Sequence, residues 1–370
     1  MRNFRVCAAV SLATVSLLAG PAGGAAAETV RTDVTYELTN LNDGAEHTVH
    51  GYLREAPCDA DTVVLLQHGL SYTGEAWDVP GYSYSEILAE AGYDVVAIDR
   101  LGYGRSVLDD GYNVSTFAFA DMTAQLADIL REDWDKVVLG GHSAGAETTV
   151  QAVGLFGASA DAVIPMGYHT YPDPQFLAFD WSSNQVDALQ DDFIYFMGTP
   201  ERRTEMFYTE NADPAISESD TAGAVETPSG EVQTISFQPS RIGAFNVTAP
   251  VFAQLAEDDR LFPSEFADFW ASQFVQAASV TIDIVPGTGH TYMLHHEGPA
   301  AAHRIVDWLS TTAGLPGCEV AAAGGEPTPV ADVDNGSDED TLPATGGGMA
   351  ALALILAVPA LVAAGRLRAA

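Results

Sequence analysis

Basic residues are scarce in this sequence. Its 370 residues include 15 Lys and Arg against 51 Asp and Glu, which gives a formal net charge of −36. A surface of that charge repels the phosphates of nucleic acids and the headgroups of anionic membranes. Nucleic acid is therefore not expected as a partner. The charge otherwise indicates a well-solvated exterior.

Cysteine is also rare, with three in the chain: Cys7, Cys58 and Cys318. Cys7 falls in residues 1–27, which combine two early arginines, an apolar run over 6–18 and small residues up to position 27. That order is typical of a secretory signal peptide, with cleavage expected before Glu28. An even pair remains for an oxidising exterior, which favours a Cys58–Cys318 disulfide; the alternative is two free thiols.

The other end of the chain carries a second targeting pattern. Leu342-Pro343-Ala344-Thr345-Gly346 precedes an apolar run over 349–364 and then two arginines. The order of motif, apolar segment and basic tail resembles the sorting signal of Gram-positive wall-anchored proteins. The resemblance implies that sortase cuts after Thr345 and joins it to peptidoglycan. We therefore expect a secreted protein, covalently anchored to the wall, which contacts the membrane only transiently through its signal segments.

Between the ends, apolar strand patterns alternate with helical ones. Residues 30–38 and 47–53 alternate in polarity and predict an antiparallel hairpin at a sheet edge. Continuous apolar runs predict buried strands at 62–67, 94–98, 136–140, 162–166, 251–255 and 280–285. Helices are predicted at 84–91, 121–131, 144–156, 263–276 and 300–310. This pattern indicates an α/β fold with a mainly parallel, doubly wound sheet.

The alternation breaks in one long insertion. Residues 168–247, approximately, are rich in aromatics and include a polar, loop-like part over 211–231. We interpret the insertion as a cap over the site; the alternative is a surface elaboration that packs its own small core. The catalytic domain is expected over 28–318, a disordered acidic linker over 319–341, and the sorting signal over 342–370. An incomplete calcium-loop pattern in the linker predicts no metal.

The segment Gly141-His142-Ser143-Ala144-Gly145 is the main functional signal. It follows the predicted strand 136–140 and precedes the predicted helix 144–156. Strand, Gly-x-Ser-x-Gly and helix form the nucleophile elbow, a strained turn that exposes a serine hydroxyl. The alternative is a glycine-rich turn with an incidental serine. We interpret Ser143 as a nucleophile.

A nucleophilic serine needs a base and an orienting carboxylate. Among nine histidines, His290 stands just after the last predicted strand, where a turn presents it at the carboxyl edge of the sheet. Asp258 and Asp259 follow the predicted strand 251–255. The residues alone leave both open as the carboxylate.

Two further segments complete a family resemblance over roughly residues 60–312. His68-Gly69-Leu70 follows a buried strand, and Asp99-Arg100-Leu101-Gly102-Tyr103-Gly104-Arg105-Ser106 follows the next one. With the elbow and the order serine, aspartate, histidine, the chain resembles the α/β-hydrolase family. The resemblance implies an α/β-hydrolase fold, Asp259 as the acid, with Asp258 as the close alternative, and a structural role for the segment 99–106.

The resemblance also implies a mechanism. The backbone N–H groups of Leu70 and Ala144 would form the oxyanion hole, and an acyl-enzyme would form on Ser143 without a cofactor. The aromatic insertion and the lack of an obvious cationic pocket favour an apolar carboxylic ester as substrate. The alternatives are an amidase, peptidase or other acyl hydrolase at the wall, or a non-catalytic surface adhesin on a hydrolase scaffold.

Overall fold

The computed structural model describes residues 29–319. The predicted signal peptide, nearly all of the linker and the predicted sorting signal, including Thr345, lie outside the described residues. Within residues 29–319, no helix has the length and hydropathy required to cross a membrane.

Residues 29–319 form ten strands, eight of which make one sheet. The strands are β1 (Val30–Thr39), β2 (Glu46–Glu55), β3 (Thr62–Gln67), β4 (Asp94–Ile98), β5 (Lys136–His142), β6 (Ala162–Met166), β7 (Phe193–Ile194), β8 (Thr227–Pro228), β9 (Val251–Ala256) and β10 (Val280–Val285). The sheet order is β1-β2-β4-β3-β5-β6-β9-β10, and β7 pairs with β8 apart from it. In the sheet, β1 pairs antiparallel with β2, β2 pairs antiparallel with β4, and the remaining pairs are parallel. Strands β7 and β8 pair antiparallel.

The burial of the strands explains this order. Strands β3, β4, β6 and β9 are buried along their whole length, because helices cover both faces of the sheet. The polar, mostly exposed β1 lies at the edge. The prediction of a mainly parallel, doubly wound sheet is confirmed, and each predicted strand is present within two residues of its expected ends.

The helices are α1 (Tyr84–Glu90), α2 (Thr116–Leu130), α3 (Ala144–Phe156), α4 (Ser182–Asp187), α5 (Pro200–Phe207), α6 (Pro214–Ala222), α7 (Ser229–Ile235), α8 (Ser240–Gly243), α9 (Ala267–Ala271) and α10 (Gly298–Thr311). Helix α2 begins five residues before its predicted start, because the Ser115 hydroxyl caps it by accepting the Ala118 N–H at 3.2 Å. The predicted helix 263–276 is shorter. It consists of a 3₁₀ turn (Ser264–Phe266) and α9, after which the Phe274 N–H bonds three residues back to Ala271.

The insertion between β6 and β9 is largely helical. It holds α4 to α8, the ribbon of β7 and β8, and a π-helix over Phe176–Trp181. The prediction of a loop over 211–231 is wrong in its middle. Asp213 accepts the Ala215 N–H at 2.8 Å and Pro214 occupies the first turn, so that α6 begins there. The helix propensity of the residues in this polar stretch gave little indication of α6.

The two remaining cysteines form the expected disulfide. Cys58 and Cys318 lie 260 residues apart in sequence and have a Cα–Cα distance of 6.0 Å. The Cys318 N–H donates to the Gly92 carbonyl at 2.9 Å. The bridge therefore joins the end of the described chain to the loops before β3 and β4.

Candidate active site

Ser143 lies between β5 and α3 in a strained backbone conformation, with φ 55° and ψ −119°. The turn is possible only because the residues two positions before and two positions after Ser143 are glycines. A Cβ on Gly141 would lie 2.3 Å from the Gly145 carbonyl oxygen, and a Cβ on Gly145 would lie 2.4 Å from that of Gln67. Strand and helix therefore meet too closely for any side chain at these two positions. Non-glycine residues with such dihedrals concentrate at functional sites.

Three predicted site residues meet at the carboxyl ends of the strands. The Ser143 Oγ lies 2.9 Å from His290 Nε2, and His290 Nδ1 lies 2.8 Å from Asp259 Oδ2. The other carboxylate oxygen of Asp259 accepts the N–H groups of Leu261 and Phe262, at 2.7 and 3.0 Å. Because a carboxylate only accepts, His290 carries its proton on Nδ1 and presents Nε2 as an acceptor to the serine.

The turn after β9 determines whether Asp258 or Asp259 points toward His290. Asp259 is buried, whereas Asp258 is exposed. The Asp258 backbone N–H donates to the Thr288 carbonyl at 2.9 Å, which holds the two loops together. The structure therefore brings Asp259 to His290 and leaves Asp258 in solvent.

His142 supports the loop that carries His290. Its fully buried ring lies 4.8 Å from the His290 ring, and its Nε2 donates to the His290 backbone carbonyl at 2.9 Å. Burial, with a smaller effect of the His290 charge, lowers the pKa of His142 well below its ordinary value. His142 is therefore a neutral support for the backbone.

The loop after β3 lies directly against the elbow. A Cβ on Gly69 would lie 2.9 Å from the Ser143 Cβ. Neither the Leu70 N–H nor the Ala144 N–H donates to a protein acceptor within residues 29–319. Both N–H groups are therefore free of protein acceptors near the Ser143 side chain, and their assignment to an oxyanion hole stays a prediction.

A buried arginine from the insertion contacts this loop, and sequence reasoning missed it. Arg203 on α5 donates to the Ser71 Oγ at 2.5 Å, and the Ser71 hydroxyl donates to the Leu70 carbonyl at 2.6 Å. Its guanidinium pairs with Asp220 at 3.3 Å and lies 4.5 Å from the ring centres of both Tyr72 and Phe207. No obvious cationic pocket was expected, and the structure places the Arg203 cation beside this loop, where it is paired with Asp220. Nothing in the local pattern of α5 distinguishes Arg203 from the half-buried Arg202 beside it.

Aromatic side chains enclose His290. The rings of Phe207 and Phe262 lie 5.0 and 5.7 Å from the imidazole, and Phe262 also packs against Tyr168 and Phe176. Phe207, Tyr168 and Phe176 belong to the insertion, so part of the insertion packs over the hydrogen-bonded group of Ser143, His290 and Asp259. Another part packs its own small core of Ala188, Ile194 and Val232. The side chains packed against the His290 ring are therefore aromatic.

Within residues 29–319, no group of three or more His, Cys, Asp and Glu side chains is arranged to hold a metal ion.

Comparison with known proteins identifies the family of this chain. The family model described as the alpha/beta hydrolase family matches residues 63–305. The chain belongs to the alpha/beta hydrolase family. Residues 63–305 include all but the first residue of β3 and every later strand of the sheet, together with Ser143, Asp259 and His290.

A curated relative and several solved structures are similar. A non-heme chloroperoxidase of Burkholderia pyrrocinia is 25% identical over 254 residues, which are 63% of this chain and 86% of that protein. An esterase from Thermogutta terrifontis has a TM-score of 0.59 at 19% identity, covering 75% of this chain and 98% of that one. An esterase from Exiguobacterium antarcticum has a TM-score of 0.59 at 17% identity, covering 75% and 100%. These structures show the shared α/β-hydrolase fold.

A buried carboxyl group joins the elbow helix to the end of the insertion. Glu147, one turn into α3, has no exposed surface. It accepts the Ser240 N–H at 3.1 Å, the Ser240 hydroxyl and the Gln151 amide at 3.0 Å. Burial raises the pKa of Glu147 to about 7 from an ordinary 4.5, despite these hydrogen bonds.

This raised pKa makes stability depend on pH. The native state binds the proton more tightly than the unfolded chain, so the contribution of Glu147 is largest below pH 4.5 and falls as pH rises to about 7. Glu147→Gln keeps a neutral, hydrogen-bonding group and should remove this fall, which amounts to about 3 kcal/mol. Urea unfolding of both proteins between pH 4.5 and 7.5 measures the difference. Exposed Glu132→Gln controls for the loss of a carboxylate, and parallel curves for wild type and Glu147→Gln would contradict the prediction.

Proposed function

We propose that this protein is a serine hydrolase that cleaves carboxylic esters through an acyl-enzyme on Ser143. The observation that carries the proposal is the continuous hydrogen-bonded chain from the strained Ser143 through His290 to buried Asp259. His290 takes the serine proton as the hydroxyl attacks the acyl carbonyl. Asp259 holds the required tautomer and stabilises the imidazolium.

The rest of the reaction uses the same groups. The N–H groups of Leu70 and Ala144 bind the oxyanion of the tetrahedral intermediate. His290 then protonates the leaving alcohol and activates the water that releases the acid. The aromatic surroundings of His290 favour an apolar acyl or alcohol part. The family membership and the likeness to named esterases support the same substrate class.

Hydrolysis of p-nitrophenyl butyrate and octanoate tests this reading. Ser143→Ala should lower kcat by at least about 10⁴-fold, and Asp259→Asn by on the order of 10⁴-fold, because the wrong His290 tautomer faces the serine. Asp258→Asn is the matched control, and it should retain activity since that side chain is exposed. Equal rates for wild type and Ser143→Ala would refute the proposal and favour the adhesin reading. Faster turnover of matched amides than of esters would make the protein an amidase or peptidase.

The likeness to a non-heme chloroperoxidase favours a second candidate activity on the same serine. Hydrogen peroxide can replace water as the nucleophile toward the acyl-enzyme, which releases a peracid and free Ser143. The peracid would then oxidise bromide to hypobromite and return to the carboxylic acid. Bromination of monochlorodimedone in peroxide, bromide and an ester donor should occur with wild type and not with Ser143→Ala. Equal bromination by both proteins would exclude this activity.

We also propose that the chain is secreted and attached to peptidoglycan through Thr345. The support is the order of sequence features at the two ends, in segments outside the described residues. In a sortase-positive Gram-positive host, the full chain should fractionate with the wall, and mass mapping should find peptidoglycan on the Thr345 carboxyl. Thr345→Ala should abolish wall attachment, whereas Thr341→Ala, just upstream of the motif, should not. Wall attachment that survives Thr345→Ala would contradict the proposal.

A further inference from the structure

The amide N–H of Leu70 and the carbonyl of Gly69 belong to one planar peptide group. Resonance couples the two ends of such a group, so a donor that bonds the carbonyl makes the N–H a stronger donor. Whatever binds the Gly69 oxygen therefore acts on the Leu70 N–H, which our proposed mechanism places in the oxyanion hole.

Two donors converge on the Gly69 oxygen. His68 Nδ1 lies 2.8 Å from it, and the Arg100 Nη2 lies 3.2 Å from it. The backbone N–H of Arg100 donates to His68 Nε2 at 2.9 Å, so that nitrogen is an acceptor and the ring proton must lie on Nδ1. Burial, and next the charge of Arg100, lowers the pKa of His68 well below its ordinary value, which agrees with a neutral ring.

Arg100 is a buried cation held by the insertion. Its side chain is 1% exposed and pairs with Glu231 on α7, which is fully buried. The Tyr103 hydroxyl donates to the other Glu231 oxygen at 2.5 Å. The guanidinium also lies 4.9 and 4.7 Å from the ring centres of Tyr103 and Phe119. These contacts fix the orientation of the guanidinium toward the Gly69 carbonyl.

We infer that Arg100 is a positioning residue for the reaction, which acts through the Gly69 carbonyl to orient and polarise the Leu70 N–H toward the oxyanion. His68 alone satisfies the carbonyl, so a second donor is not needed for hydrogen bonding. A cation in a buried, low-dielectric setting adds a directed field that a neutral donor does not. The inference rests on the proposed serine-hydrolase function. It adds a role for Glu231 of the insertion, which sets the position of Arg100.

The other buried arginine at this loop acts on a different peptide. Arg203 reaches the Ser71 hydroxyl, which bonds the Leu70 carbonyl. That carbonyl belongs to the peptide after the one that carries the Leu70 N–H. Of these two arginines, Arg100 is the one bonded to the peptide that supplies the oxyanion donor.

The test removes the cation and its partner together, because a lone Glu231 would be a buried, unpaired charge. Arg100→Met/Glu231→Gln in the full chain should lower kcat for p-nitrophenyl butyrate about tenfold, less than the 10²–10³ for loss of a direct donor, with KM unchanged. Affinity for an alkyl trifluoromethyl ketone, whose hemiketal carries an oxyanion, should fall by a similar factor. Carbon-13 NMR of the labelled ketone carbon should show a raised hemiketal pKa. Arg131→Met is the matched control, since Arg131 pairs with Asp161 near the amino end of β5.

Arg100→Lys is the second variant in case the double variant does not fold. A single ammonium cannot reproduce the planar fork that reaches both Glu231 and the Gly69 carbonyl, so the same losses are expected in the same direction. A folded variant with unchanged kcat, ketone affinity and hemiketal pKa would overturn the inference alone. A fall in kcat and thermal stability with unchanged hemiketal pKa would reduce Arg100 to a structural role. If wild type itself neither hydrolyses the ester nor binds the ketone, the proposed function fails first and the inference with it.

Discussion

The close approach of the elbow to the end of β3 is the contact on which the site depends. A Cβ on Gly145 would lie 2.4 Å from the Gln67 oxygen and 2.7 Å from that of His68. With glycine there, α3 begins directly beside the loop after β3, and Gly69 lies against the Ser143 side chain. The Ser143 N–H is also fixed, since it donates to the Met166 carbonyl at 2.8 Å. One steric constraint thus sets the position of the serine relative to the Leu70 and Ala144 amides.

The sheet order turns this local contact into a site. Strand β3 lies between β4 and β5, so the chain moves to one side of β3 and then crosses to the other. At such a switch point the loops after adjacent strands diverge and leave a crevice at the carboxyl edge. The loops after β3 and β5 supply the amides and the serine, while those after β9 and β10 supply Asp259 and His290.

Buried polar contacts make the insertion part of this edge. Arg100 with Glu231, Arg203 with Ser71, and Glu147 with Ser240 each join the elbow helix or the loops beside it to residues of the insertion. Removing one member of a buried charge pair costs about 3–5 kcal/mol. The contacts of Arg100 and Arg203 therefore hold α5, α6 and α7 to the loop after β3, and their loss would destabilise the fold.

Much of this site was predictable because its signals are local. The elbow needs glycines at fixed spacing around Ser143, and His290 stands just after a strand, so sequence order and strand patterns suffice to find them. The same patterns left Asp258 and Asp259 open, because which of two adjacent acids turns inward depends on the N–H groups of Leu261 and Phe262. Arg203 and Glu231 could not be found, since the residues of the site's loops that they bond, Ser71 and Arg100, lie more than a hundred residues away in sequence. Their burial is a property of the assembled fold and produces no periodic pattern in the sequence.

The same distinction separates the charge of the surface from the electrostatics of the site. The chain has an excess of 36 negative charges, but exposed charges are screened beyond about 8–10 Å at physiological ionic strength. Arg100 and Arg203 lie within the described core, where screening is weak, and each has a carboxylate within 3.3 Å. Each buried arginine near the loop after β3 is therefore balanced by a carboxylate, and the electrostatic effect of each pair depends on the orientation of its two groups. Composition therefore predicts solubility and the classes of partner that the surface charge repels. The electric field at the Leu70 amide depends instead on how the buried Arg100–Glu231 pair is oriented toward the Gly69 carbonyl.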